Sequence, residues 1–401
     1  MKKNIASLLQ MNLVILAFTA GWLGFSYINR VSGEPWNVLR IIIVLVLVVA
    51  SIILADVISS VFHEIGHLLG GLLSGYSFVY FGCFGFVWIK EHGKLVRKRN
   101  NTKGMKGVSR LSPPDMKEDT FPFRLYYFSG TFMNLVLAGI CALLFFQAAS
   151  FFTSWAKVFL VIGLKALMDF IMNLVPINID GVWNDGYILF NLGKEKNKEI
   201  RLKYWRNLRV QGIISGGTRP RELPKTYYEW ANIHKKVDDL FTFDAGLIQY
   251  KHLMDKGELT QAKKCLQALS NNLDASLSKN QPLLDLELLF HELIGKCREE
   301  KIKEFDTKEV SEYVKNAGLN ESVRRISYAY ARLLYQDNAL AQQHLAFFEM
   351  ACANSVNLGS IPGERELIKL IDQLASSDDQ IAPSDDQIAS SSDDQIVPSD
   401  D

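Results

Sequence analysis

The chain has 401 residues, a formal net charge of +1 and 48% hydrophobic residues. That balance excludes a wholly disordered chain and a basic nucleic-acid binder, so no nucleic-acid partner is expected. The five cysteines are scattered without a CxxC pair, which argues against a disulfide framework and for a reducing cytosol around the soluble part.

Nearly all the uninterrupted apolar runs precede residue 196, and charged, periodic sequence follows. The expected organisation is an N-terminal anchor helix with an outer loop (1–39), an intramembrane core (40–195), a cytosolic α-helical domain (196–375) and an acidic tail (376–401). The expected fold class is an all-α polytopic membrane protein. Four runs, approximately 6–28, 40–74, 124–149 and 154–178, match the roughly 20 helical residues that cross about 30 Å of hydrocarbon. The first follows Lys2 and Lys3 without a small-residue cleavage site, which predicts an anchor rather than a removed signal peptide. Lysine and arginine crowd the segment from Lys90 to Lys117, whereas the 149–154 turn has none. A multi-pass cell-membrane protein follows, embedded in the lipid bilayer with that loop and both termini in the cytosol.

The second run ends in "SSVFHEIGHLLGG", residues 59–71. On a helix, positions i and i+4 lie about 6 Å apart along the axis on nearly the same side, so His63 and His67 point one way. Two such imidazoles and one carboxylate hold a catalytic Zn²⁺ with an open position, and Glu64 can reach a water there as general base. The same chain carries a near miss, His291-Glu292, with Gly295 where a second histidine would fall. HEIGH differs by sitting in an apolar span, where ionisable groups are costly and functional by default. Asp56, two turns earlier, is too far along the helix to bind the same ion and is expected to hydrogen-bond a neighbouring helix.

The stretch "GYSFVYFGCFGFVWIK" (75–90) is aromatic, β-branched and punctuated by glycine. It reads either as a short re-entrant β-hairpin or as an interfacial aromatic belt. Lys165 and Asp169 in the fourth run are spaced to neutralise each other. That run ends in "NLVPINIDGVWNDGYILFNL" (173–192), where Pro176 breaks the helix and two Asp-Gly pairs follow. Either Asp180 or Asp185 can supply the third ligand.

These elements, in this order, resemble the site-2 protease family of intramembrane zinc metalloproteases. The resemblance rests on His63-Glu64-Ile65-Gly66-His67, on "SGTFMNLVLAG" with Asn134, and on Asn173-Leu174-Val175-Pro176 before the Asp-Gly pairs, and covers roughly residues 40–195. It implies a three-helix catalytic core, Zn²⁺ bound by two histidines and an aspartate, and a buried glutamate that activates water. It also suggests that Asn134 and Asn173 donate hydrogen bonds to an extended substrate or to the oxyanion; the alternative is interhelical packing. The departure is the aspartate. The family commonly has one Leu-Asp-Gly about eight residues after the asparagine, whereas Asp180 and Asp185 lie seven and twelve residues after Asn173. Asp185 is favoured because it directly precedes the apolar run "GYILFNL", where Asn184-Asp185 can cap a helix.

The stretches 243–273 and 322–352 each read as two helices joined by a tight turn, in a tetratricopeptide-like array or a plain bundle. Their surfaces either bind a protein partner in a groove or simply cover the core. The tail repeats "SSDDQIA", "PSDDQIA" and "SSSDDQIV" with no basic residue and is expected to be disordered. The functional expectation is an intramembrane zinc endopeptidase that cleaves a membrane protein or membrane-associated peptide in or beside a transmembrane segment. The alternatives are a maturation or export protease for a small secreted peptide such as a pheromone or bacteriocin, and a non-catalytic membrane scaffold with a vestigial zinc site.

Overall fold

The computed structural model describes residues 38–99, 107–117, 119–149, 154–179, 182–295, 297 and 299–379. The expected anchor helix at 6–28 therefore lies outside the described residues, as do Asp180 and residues 380–401.

Three long helices form the first layer: α1 (Val38–Leu73), α2 (Phe123–Ala149) and α3 (Ser154–Leu174). They pack around Ala55, Leu137, Cys141, Val161, Ile162 and Ala166. Small residues let α1 and α2 approach closely. A Cβ at Gly66 would stand 2.3 Å from the Ser129 carbonyl oxygen, and one at Gly70 would stand 2.0 Å from Ser129 Oγ.

Two stretches, Val49–Leu73 and Phe123–Gln147, are long and apolar enough to cross a membrane. Only 17% and 28% of their apolar windows are buried, whereas the core helix of a soluble protein would be mostly covered. Ile53, Phe132, Ile140, Leu143 and Phe146 face outward. The fourth expected span does form a helix, α3, but its charges leave it outside that class. Lys165 pairs with Asp169 and stands 3.4 Å from Asp56, while Ser59 donates to Asp169 at 2.5 Å. The polar residues of the runs thus satisfy one another between α1 and α3, as expected for Asp56, Lys165 and Asp169.

The all-α expectation needs correction. An antiparallel sheet of order β3-β2-β1-β4 comprises β1 (Ser77–Cys83), β2 (Phe86–Glu91), β3 (Lys94–Arg99) and β4 (Gly107–Ser112). The expected hairpin is its β1–β2 unit, and the segment read as a basic cytosolic loop supplies two more strands. Two-residue turns with positive φ close both hairpins, at Phe84-Gly85 and at His92-Gly93. Such turns match the right-handed twist of paired strands. Strand β3 passed for a loop because Lys94, Arg97 and Arg99 lie on exposed positions of an edge.

After α3 come a two-residue pairing, β5 (Asn178–Ile179) with β6 (Val182–Trp183), and the short helix α4 (Asp185–Asn191). The remainder is helical: α5 (Lys198–Ser215), α6 (Leu240–Asp255), α7 (Leu259–Asn271), α8 (Gln281–Leu293), α9 (Glu299–Phe305), α10 (Lys308–Asn316), α11 (Glu321–Ala329), α12 (Asn338–Asn354) and α13 (Ile361–Asp379). The α6–α7 and α11–α12 pairs are the helical hairpins expected from the sequence. Helix α13 runs to Asp379, into the start of the acidic repeat.

The helical part docks on the sheet. Trp205 Nε1 donates to the Pro114 carbonyl at 2.8 Å, Arg209 Nη1 to that of Pro113 at 3.0 Å, and Lys98 Nζ to that of Ser355 at 3.1 Å.

Candidate metal centre

His63 and His67 lie on successive turns of α1, and their Nε2 atoms stand 3.1 Å apart. Asp185, the first residue of α4, brings Oδ2 to 3.1 Å from His63 Nε2 and 3.2 Å from His67 Nε2. Ligands about 2.0–2.1 Å from a tetrahedral Zn²⁺ are separated by about 3.3 Å. The three atoms therefore have the spacing of one face of such a coordination shell. Asp185 Oδ2 is buried and accepts no well-aligned hydrogen bond. A carboxylate oxygen placed in that way fits a cation better than it fits a neutral protein interior.

The imidazoles are oriented from behind. His67 Nδ1 lies 2.8 Å from the Tyr126 carbonyl oxygen, to which it must donate, so its Nε2 lone pair faces Asp185. Asn134 Nδ2 stands 3.3 Å from His63 Nδ1, while Asn134 Oδ1 is buried without a partner. With the amide turned by half a rotation, His63 Nδ1–H donates to Asn134 Oδ1 and Nε2 is left as a lone pair. Asn134, read either as meeting substrate or as packing between helices, stands against a histidine of α1.

Asp185 is placed by its neighbours. Asn184 caps α4, its Oδ1 accepting from Tyr187 N and Ile177 N at 2.9 Å each. Its Nδ2 donates to the carbonyls of Val175 at 2.7 Å and Met172 at 3.2 Å, which ties α4 to the end of α3. A Cβ at Gly186 would come 2.4 Å from the Leu174 carbonyl oxygen. Asn-Asp-Gly is thus a cap, a candidate ligand and a close-packing residue in turn. Asn173, given the same two readings, donates from Nδ2 to the Asp169 carbonyl of its own helix at 3.0 Å.

Glu64 lies between the histidines in sequence and is electrostatically coupled to His67, His63 and Asp185. Strand β4 covers it: a Cβ at Gly107 would stand 2.6 Å from Glu64 Cγ, and the Ser109 backbone lies within hydrogen-bonding reach of its carboxylate. Gly107 carries no sequence signal that would have marked it. Around the centre runs an aromatic wall in which the His67 ring lies 5.3 Å from Tyr126 and 5.9 Å from Tyr127. The Tyr127 hydroxyl bonds that of Tyr204 on α5, so the helical part contributes to the enclosure.

The near miss behaves differently. His291 and Glu292 are buried in the core of the helical part, and Glu292 pairs with Lys263 at 2.5 Å. Among the described residues, His63, His67 and Asp185 are the one group of three with metal-ligand spacing. Comparison of the chain with protein-family models, curated proteins and solved structures finds no match.

Proposed function

We propose that the chain is a membrane-embedded zinc endopeptidase of the site-2 protease type, cleaving a peptide bond in or beside a transmembrane segment of a membrane protein or membrane-associated peptide. The observation that carries this reading is the approach of His63 Nε2, His67 Nε2 and Asp185 Oδ2 to within 3.1–3.2 Å of one another, the two histidines lying on a helix apolar enough to cross a membrane. His63, His67 and Asp185 would hold the ion. Bound Zn²⁺ supplies a Lewis acid for the scissile carbonyl and lowers the pKa of a water from about 15.7 to about 7.

Glu64 takes a proton from a water in the site and delivers it to the leaving amide nitrogen, so one carboxylate serves as base and then as acid. Asn134 and the Tyr126 carbonyl keep both Nε2 lone pairs facing Asp185. The aromatic wall limits bulk water, which strengthens each charge interaction inside. A helical substrate must unwind to expose its peptide bond, and the neighbouring sheet offers strands against which an extended segment can lie.

The test compares the membrane proteome of cells carrying the active chain with that of cells carrying Glu64→Gln. The wild type should generate new termini within or beside transmembrane segments, the variant should lose them by roughly 10²-fold or more, and both should purify with about one zinc per chain. Wild-type turnover in the variant would remove Glu64 from the mechanism, and a zinc-free wild type would remove the metalloprotease reading.

A further inference from the structure

A cleft of about 760 Å³ opens where α1 gives way to Ser74 and α2 begins at Phe123. Its charged lining consists of Lys117, Arg124, Arg201 and Asp115. Asp115 is already neutralised by Arg209 at 3.0 Å. Lys117 and Arg124 are exposed, and neither has a carboxylate in ion-pair reach among the described residues.

Arg201 is only 6% exposed, yet its hydrogen bonds go to neutral carbonyls. Its Nε donates to Asp119 O at 3.0 Å, and its Nη1 donates to Leu192 O at 2.9 Å and to Lys194 O at 3.4 Å. Among the described residues no carboxylate pairs with it. A buried guanidinium without a counter-charge is costly, and three basic groups converging on one cleft favour an anionic ligand.

The rest of the lining narrows the class of anion. Phe121, Pro122, Phe123 and Leu125 give the cleft an apolar side, which a free phosphate would not use. The cleft also adjoins the ends of the two stretches apolar enough to cross a membrane. There the phosphates and upper acyl chains of lipids meet, and basic side chains gather against anionic headgroups.

We propose that this cleft binds the phosphate of an anionic phospholipid headgroup through Lys117, Arg124 and Arg201. Arg201 also holds the Leu192 carbonyl at the C-cap of α4, the helix that begins with Asp185, so occupancy bears on the helix that carries the third candidate ligand. The inference rests on α1 and α2 crossing the membrane and is independent of peptide hydrolysis.

The test uses the full-length chain purified in detergent and titrated with dioleoyl-phosphatidylglycerol, dioleoyl-phosphatidylcholine or inorganic phosphate, with thermal stability and native mass spectrometry as readouts. Phosphatidylglycerol should bind at least tenfold more tightly than phosphatidylcholine, and the surface double variant Lys117→Gln/Arg124→Gln should lose at least tenfold of that affinity while melting normally without lipid. Equal binding of the two lipids, or undiminished binding by the variant, would overturn the proposal. Protection by inorganic phosphate equal to that by the lipid would also overturn it, by assigning the cleft to a soluble anion. Release of the chain from carbonate-washed membranes would instead overturn the membrane reading on which the proposal rests.

Discussion

The His67 ring lies flat against the backbone of Gly130, so close that a Cβ at residue 130 would stand 2.4 Å from both Nε2 and Cε1. Helix α2 thus reaches the candidate ligand through a hydrogen atom, where any side chain would push the ring away. Gly130→Ala should displace Nε2 from Asp185 and weaken zinc affinity by roughly 10–100-fold, the range seen when ligand support is lost. Zinc titration against a competing chelator checks this, and unchanged affinity would mean that α2 yields instead of the ring.

Asp185 supplies charge as well as geometry, so Asp185→Asn should lose zinc affinity and proteolysis together. Removing the cap beside it is a milder change. Asn184→Ala should cost about 1 kcal/mol of stability and reduce, without abolishing, metal binding. Metal content and melting temperature measured on both variants separate the two roles. Full zinc retention in Asp185→Asn would show that the metal is held by other groups.

The helical part carries a buried ionic cluster. Arg325 Nη2 lies 2.7 Å from Glu287 Oε2, Arg325 Nε lies 2.8 Å from Glu364 Oε2, and the guanidinium stacks 3.9 Å above the Phe290 ring. Arg325→Leu leaves two buried carboxylates facing each other without their cation. It should destabilise the protein by about 3–5 kcal/mol, the cost of breaking a buried pair by removing one partner. Chemical denaturation of the full chain measures it, and a loss below about 1 kcal/mol would mean that water reaches the carboxylates.

Acid should weaken the same core through His291. Burial pushes its imidazole down from 6.5 to about 4, and its Nε2 has no hydrogen-bond partner. Folding therefore favours the neutral ring. The stability contributed in this way is fully present above about pH 6.5 and is lost as the pH falls toward 4. Melting temperatures recorded from pH 7.5 to 4.5 should fall more steeply for the wild type than for His291→Gln. Parallel profiles would assign the acid sensitivity to another group.

How much of this was legible in advance follows from the range of each interaction. Two histidines four residues apart share a helix face whatever surrounds them, so the pairing of His63 with His67 could be read from spacing, and its place in an apolar run set it apart from chance. The apolar runs of α1 and α2 and the hairpins α6–α7 and α11–α12 were readable for the same reason, because periodicity and length act within one element. The capping role of Asn184 is similarly local and correctly favoured Asp185 as the residue that opens a helix.

Tertiary structure decided what depends on distant partners. Asn134 and Asn173 look equivalent in sequence, but one meets His63 across a helix interface and the other folds back onto its own helix. Only the packing of α1 against α2 distinguishes them. The charged strands β3 and β4 resembled a loop because strand pairing satisfies backbone groups with residues far along the chain, which composition cannot reveal. Gly107 and Gly130 matter through the space that they leave for Glu64 and His67, and that space exists only once β4 and α2 are docked. The sequence by itself determined which atoms can bind a metal and on which helix; the close packing of three helices and a sheet decided which carboxylate joins them, because a third ligand must be delivered through space rather than along the chain.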